Sequence, residues 1–208
     1  MLTERRETVR AYLRESADTK RRSAEACDEA IVAAAELIAQ AFRGGGKVLL
    51  CGNGGSAADC QHMATEFVSR LTKSFERPGL PAIALTTDTS FLTAFANDCG
   101  FDGVFERQVQ ALGRPGDVLV GISTSGNSPN VVLAVKHARG AGLRSVVLTG
   151  IGGVLASLAD VAISVPSTDT QHIQEAHLAI EHLICWLVER DLFASPGASM
   201  AGRMVYDH

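Results

Sequence analysis

The stretch Asp117–Asn130 reads DVLVGISTSGNSPN. Its first half is a nearly continuous run of Val, Leu and Ile, without the polar alternation of a half-exposed strand, as expected of a strand covered on both faces. Its second half, Ser123–Ser128, crowds hydroxyl side chains around a glycine and an asparagine. Ser128 is a natural helix N-cap, and Pro129 follows at the first helical position, where a missing N–H does no harm. A strand, a polar turn and a helix in that order make the repeating unit of a parallel sheet.

The same texture recurs along the chain. Short apolar runs stand at 47–51 (KVLLC), 82–86 (AIALT), 145–149 (SVVLT) and 161–165 (VAISV). Helical patterns lie between them, over about 56–73, 88–97, 102–112, 128–140, 153–159 and 171–192. Five buried strands interleaved with helices predict a doubly wound α/β fold with a five-stranded parallel sheet. Ahead of it, residues 3–43 carry no proline or glycine, and Ile31, Ala34, Ala35, Ile38 and Phe42 fall on one helical stripe before the glycines at 44–46. That pattern predicts one long N-terminal helix with a glycine stop. The expected organisation is a single domain over 1–208, with an N-terminal helical segment (1–43), an α/β core (44–193) and a tail (194–208).

Composition excludes several classes of function. The 208 residues are 46% hydrophobic and 20% charged, with a net charge of −4 and a pI near 5.9. A protein that neutralises many phosphates of a nucleic acid carries a basic footprint, and none is present. The short basic run Lys20–Arg22 reads as a solvated helix face. Cys27, Cys51, Cys60, Cys99 and Cys185 are odd in number, widely spaced and free of any CxxC pair. That usage suits reduced thiols and a cytoplasmic location. No apolar run approaches the ~20 residues that span a bilayer, and the charged N-terminus is unlike a signal peptide. The expected protein has neither a membrane nor a nucleic acid as partner.

In a doubly wound sheet, ligands bind outside the carboxyl ends of the strands. Two loops stand there. CGNGGSAAD (Cys51–Asp59) has glycines, among them Gly54 and Gly55, that let the backbone turn tightly and approach a ligand, and Ser56 is placed to cap the next helix. It matches neither GxGxxG nor the Walker pattern, so no nucleotide cofactor is expected. In the second loop Ser123, Thr124, Ser125 and Ser128 converge on a helix N-terminus, where free N–H groups and the positive dipole end favour an anion. One hydroxyl would suffice as a cap. With no Lys or Arg in the loop, neutral donors must carry the binding, which suits a sugar phosphomonoester better than a triphosphate with its metal.

Ionisable groups are placed to act nearby. His62 and Glu66 stand one turn apart on one helix face. The last helix offers Gln174, Glu175, His177, Glu181 and His182. From the 3.6-residue turn, Glu181 lies about 20° round the helix from Gln174 and His182 about 80°. Periodicity therefore leans to Glu181 beside Gln174. Such groups suit a divalent ion such as zinc or, without metal, an acid–base pair near neutral pH. Both readings point to proton transfer on a phosphorylated sugar.

Taken in order and spacing, CGNGGSAAD, HMATE, AFANDCGFD, GRPGDVLVGISTSGNSPNV, VVLTG and VPSTDTQHIQEAHLAIEHLI resemble the phosphoheptose isomerases of the sugar isomerase (SIS) domain superfamily, over about residues 5–193. The resemblance implies a flavodoxin-like SIS fold, a homotetramer with active sites at subunit interfaces, and conversion of sedoheptulose 7-phosphate to glycero-manno-heptose 7-phosphate. It assigns catalysis to Glu66 and His182, and so replaces Glu181 by His182. It assigns substrate binding to Asn53, Gly54, Gly55, Ser56, Glu66, Asn97, Asp98, Ser123, Thr124, Ser125, Ser128 and Gln174. It places zinc, where present, on His62, Glu66, Gln174 and His182. Three stretches depart from the family pattern: His172 stands where an arginine is usual, TGIGGVLAS lacks the polar residues often found between the threonine and the glycine pair, and the tail after Pro196 has no counterpart. Relatives of the same superfamily that serve as regulatory binding modules, such as those attached to the replication initiator, typically lack the glutamate and the histidine that this chain keeps as Glu66 and His182. An isomerase of another sugar phosphate is the remaining alternative.

Overall fold

The structure, a computed structural model, describes residues 1–73 and 75–194. Apart from Ala194, the tail set apart in the sequence lies outside the described residues. Five parallel strands form one sheet in the order β2-β1-β3-β4-β5: β1 (Val48–Gly52), β2 (Ala82–Ala84), β3 (Val118–Ser123), β4 (Arg144–Thr149) and β5 (Val161–Ser164). This is the flavodoxin-like order, and each strand falls on one of the five apolar runs.

Helices cover both faces. On one side α2 (Asp28–Arg43), α3 (Gly55–Val68) and α8 (Thr170–Phe193) bury Ile31, Ile38, Met63, Phe67 and Ile184 against Leu50, Val120 and Leu148. On the other, α5 (Val104–Leu112), α6 (Pro129–Gly140) and α7 (Leu155–Leu158) bury Phe105, Val131, Val135 and Leu155 against Leu49, Leu119 and Val147, with α4 (Thr89–Cys99) packed more shallowly. Strands with apolar side chains on both faces need both layers, hence the unbroken Val/Ile/Leu runs. Among the described residues no helix is long and apolar enough to cross a membrane.

The chain departs from its local pattern in four places. The expected helix over 3–43 is two, α1 (Leu2–Ala26) and α2, hinged at Cys27. Unbroken it would run roughly 60 Å and leave the domain. Instead Cys27 is buried, its Sγ 3.4 Å from the Ser164 carbonyl, and α1 folds back along α8. Helix α3 stops at Val68, short of the expected 73, for a reason given below. Ser56 is not the cap of α3: Gly54 is the N-cap, and Ser56 lies buried in the first turn. Ser128 is the N-cap of α6, but its hydroxyl makes no capping bond.

The sheet order reverses between β1 and β3, so the loops after these two strands flank the topological switch point. Pairing of Gly52 with Ile122 brings them out side by side.

Candidate active site

The two loops are joined by an amide pair. Asn53 Nδ2 donates to Asn130 Oδ1 at 2.9 Å and Asn130 Nδ2 returns the bond to Asn53 Oδ1 at 2.8 Å. Asn130 also accepts from the Val131 N–H at 3.0 Å. The first turn of α6 is thereby fixed to the turn that starts α3. Asn53, expected at the sugar, is committed to this clamp.

In the serine loop, Ser123 Oγ lies 2.9 Å from Ser128 Oγ and 3.4 Å from Ser125 Oγ. The hydroxyl that should cap α6 is thus turned into the cluster, beside backbone N–H groups that have no helical partner. Gly126 takes φ +65°, a left-handed turn that suits glycine, and Gly153 packs so close that a Cβ on it would meet the Gly126 backbone. The strand-four loop braces the turn further: Gly150 N–H donates to the Thr124 carbonyl at 3.0 Å and Val154 N–H to Asn127 Oδ1 at 3.1 Å.

Helices α3 and α8 bring the ionisable groups together. His62 Nε2 lies 3.5 Å from Glu66 Oε1 and 2.7 Å from His182 Nε2. One ligand atom from each of the three falls within 4.8 Å of the others. Glu66 Oε2 is buried and has no hydrogen-bond partner. Burial pushes the Glu66 carboxyl above its ordinary range, with His62 opposing the rise. Burial, then the neighbouring His62, holds His182 below the usual histidine value. Three donors converge around an unpartnered carboxylate oxygen, a set that fits a divalent ion of zinc's preferences.

Gln174 sits two turns earlier on α8, with its amide against Gly55 where a Cβ would collide with it. A side chain at position 55 would therefore displace the Gln174 amide from this place. Asn97 and Asp98 lie exposed on α4, where Asn97 Nδ2 donates to Asp98 Oδ1 at 2.8 Å, and their side chains bond neither loop. Glu181, which periodicity favoured, turns away from this cluster into the core, 1% exposed and with both oxygens unpartnered. Periodicity fixes the angle between two residues on a helix but not which side meets its neighbour. Burial and the nearby Asp59 keep the Glu181 carboxyl well above its ordinary value.

The chain matches the SIS domain family over residues 11–150. It is 56% identical over 179 residues to a phosphoheptose isomerase of Roseiflexus sp., covering 86% of this chain and 90% of the relative. It is 53% identical to that of Rhodospirillum rubrum, covering 87% and 95% of the two chains. The chain belongs to the phosphoheptose isomerase family. The fold agrees: phosphoheptose isomerase GmhA of Neisseria gonorrhoeae superposes with a TM-score of 0.83 at 48% identity, over 90% of this chain and 98% of that one. A phosphoheptose isomerase of Francisella tularensis gives 0.84 at 37% identity, over 88% and 97%.

As a phosphoheptose isomerase family member, the chain bears out the resemblance drawn from its sequence blocks. Sequence reasoning missed Asn130, and missed Asp59 as the buried neighbour of Glu181. It also missed Arg77, whose side chain is 1% exposed at the end of α3. An asparagine directly after the N1 proline was a signal for the first. An arginine 11 residues beyond Glu66 gave none.

Proposed function

We propose that this chain isomerises D-sedoheptulose 7-phosphate to D-glycero-D-manno-heptose 7-phosphate through an enediol, the first step towards nucleotide-activated heptoses. The observation that carries the reading is the convergence of His62 and Glu66, on the helix that starts at the glycine loop, with His182 of α8. His62 lies seven residues into α3, about 10 Å along its axis. An open-chain heptose phosphate spans such a distance, with its phosphate on the serine loop and its carbonyl end at the cluster.

Exchange of a ketose for an aldose moves one proton between C1 and C2 and another between their oxygens. Glu66, ionised and with Oε2 free of other bonds, takes the carbon proton and returns it to the neighbouring carbon. His182, neutral near pH 7 and in contact with His62, passes the oxygen proton. Ser123, Thr124, Ser125 and Ser128, with N–H groups at the α6 terminus, hold the phosphate and so orient the reacting end. The walls supplied by Gly54, Gly55 and Ser56 bring backbone close to the sugar. Zinc, held by His62, Glu66 and His182 with Gln174 as a further donor, would polarise the carbonyl and stabilise the enediolate.

We read the whole chain as one SIS domain, cytoplasmic and tetrameric, with active sites completed between subunits. The exposed Leu2, Val9 and Leu13 of α1 and the uncommitted Asn97 and Asp98 on α4 support a partner surface there.

The test is NMR of purified protein with sedoheptulose 7-phosphate, with and without zinc, and in parallel with pentose and hexose phosphates. Formation of an aldoheptose 7-phosphate is expected. Turnover of a different sugar phosphate would reassign the substrate, and no turnover of any would leave a binding module. Calorimetric titration of Zn2+ into the chain and into His62→Ala tests the metal: loss of binding in the variant is expected.

A further inference from the structure

Arg77 lies outside every motif that pointed to the site, yet it holds the end of the helix that carries Glu66. It is buried, as is its partner Glu189 on α8, and Arg77 Nε donates to Glu189 Oε1 at 2.7 Å. Its Nη2 donates to the Glu66 carbonyl at 2.6 Å, and Nη1 donates to the carbonyls of Phe67 at 2.7 Å and Pro78 at 3.0 Å. Glu189 Oε1 also accepts from the Leu71 N–H at 3.1 Å.

The last carbonyls of a helix have no partner inside it, and a cation beside them is favoured. The guanidinium takes two of these carbonyls at once, which is why α3 ends at Val68. Glu189 lies seven residues beyond His182, about 20° round the helix, so both stand on the same face of α8. One side chain therefore ties the backbone of Glu66 to the α8 face that presents His182.

That tie matters because the Glu66 carboxylate has little else to orient it. One oxygen is without a partner and the other is 3.5 Å from His62. Its position follows from its backbone. Stability alone does not call for the ion pair: dehydrating two charges is costly, and apolar residues of similar volume often do as well or better.

We propose that Arg77 and Glu189 are positioning residues for proton transfer, fixing the register of α3 against α8 so that Glu66 and His62 meet His182. The inference deepens the isomerase reading and rests on it.

The test compares wild type with Arg77→Lys and with the double variant Arg77→Met, Glu189→Leu, which removes both charges and strands neither. Three quantities are read: kcat and KM on sedoheptulose 7-phosphate, the melting temperature, and the ring 15N resonances of the histidines. In the double variant kcat is expected to fall about 10- to 100-fold, the range for groups that orient a site's ligands, with KM little changed and a lowered melting temperature, because the Glu66, Phe67 and Pro78 carbonyls and the Leu71 N–H lose their partners. The resonances of His62 and His182 should move while those of His137, His172 and His177 stay. Arg77→Lys, which keeps the charge but lacks the fork that spans carboxylate and carbonyls, should lie between. A folded double variant with wild-type kcat and unmoved His62 and His182 signals overturns the proposal; should that variant not fold, the same result in Arg77→Lys overturns it. If wild type itself turns over no heptose phosphate, the isomerase reading fails, and the ring signals still judge the clamp.

Discussion

Nε2 of His62 lies 2.7 Å from Nε2 of His182, across 120 positions of sequence. At that distance one ring donates its proton and the other accepts it, so the pair carries one N–H between the two nitrogens. Protonation of both rings would place two donors face to face. The contact therefore disfavours a proton added to His182, in line with the downward shift that burial and then the neighbouring His62 impose on it.

Replacement of Glu66 by Gln should remove the base while keeping the side chain's shape. Turnover is expected to fall about 10²- to 10⁴-fold, the usual contribution of a general base, with substrate binding retained. Single-turnover NMR and calorimetric binding on the same preparation check both halves; a variant with full rate would rule out Glu66 as the base.

The paired change Ser125→Ala with Ser128→Ala should act on binding first. Each lost hydrogen bond to a charged phosphate is worth at least about 1.5 kcal/mol, so KM is expected to rise tenfold or more while kcat falls less. Inorganic phosphate, titrated as a competitive inhibitor, should weaken in step. Unchanged phosphate inhibition would move the anion site elsewhere.

Activity should be lost on the acid side at a higher pH than an ordinary glutamate would give. A base works deprotonated, and burial raises the Glu66 carboxyl, so the acid limb of kcat/KM moves upward with it. The profile reports the coupled cluster and not Glu66 alone. An acid limb at or below the normal glutamate range would contradict the burial.

His177 should set a separate limb in stability. It is fully buried, its Nε2 donates to the Thr149 carbonyl at 3.1 Å, and burial lowers it to about 4. Unfolded it titrates near 6.5, so the unfolded chain binds the extra proton first. The contribution is whole above that value and is lost as pH falls towards 4, up to about 3 kcal/mol. Denaturant titrations from pH 7 to 4 should show this fall in wild type and a flatter profile in His177→Gln, whose amide can still donate to Thr149.

Much of this molecule is legible in its sequence. The five strands fall on the five apolar runs because strands buried on both faces must be apolar throughout. The serine loop declares itself by an excess of hydroxyls over what capping needs. Less legible are the ends and breaks: Cys27 divides the N-terminal helix without glycine or proline, and Arg77 stops α3 from a position beyond it. Both are made by contacts with distant chain, Ser164 in one case and Glu189 in the other. Glu181 against His182 is the plainest instance, since both lie near Gln174's face and only the seating of α8 on α3 decides which one is buried.

Local chemistry accordingly determined the elements, the serine loop and the short set of ionisable candidates, because strand burial, capping and turn preferences act within a few residues of sequence. Tertiary structure decided which candidates meet. The crossing of α3 and α8 turns His182 to His62 and Glu181 to the core, and sets Arg77 on the carbonyl of Glu66. Those outcomes depend on how two helices are seated and rotated against each other, a quantity fixed by packing across the whole domain and written in no single stretch of it.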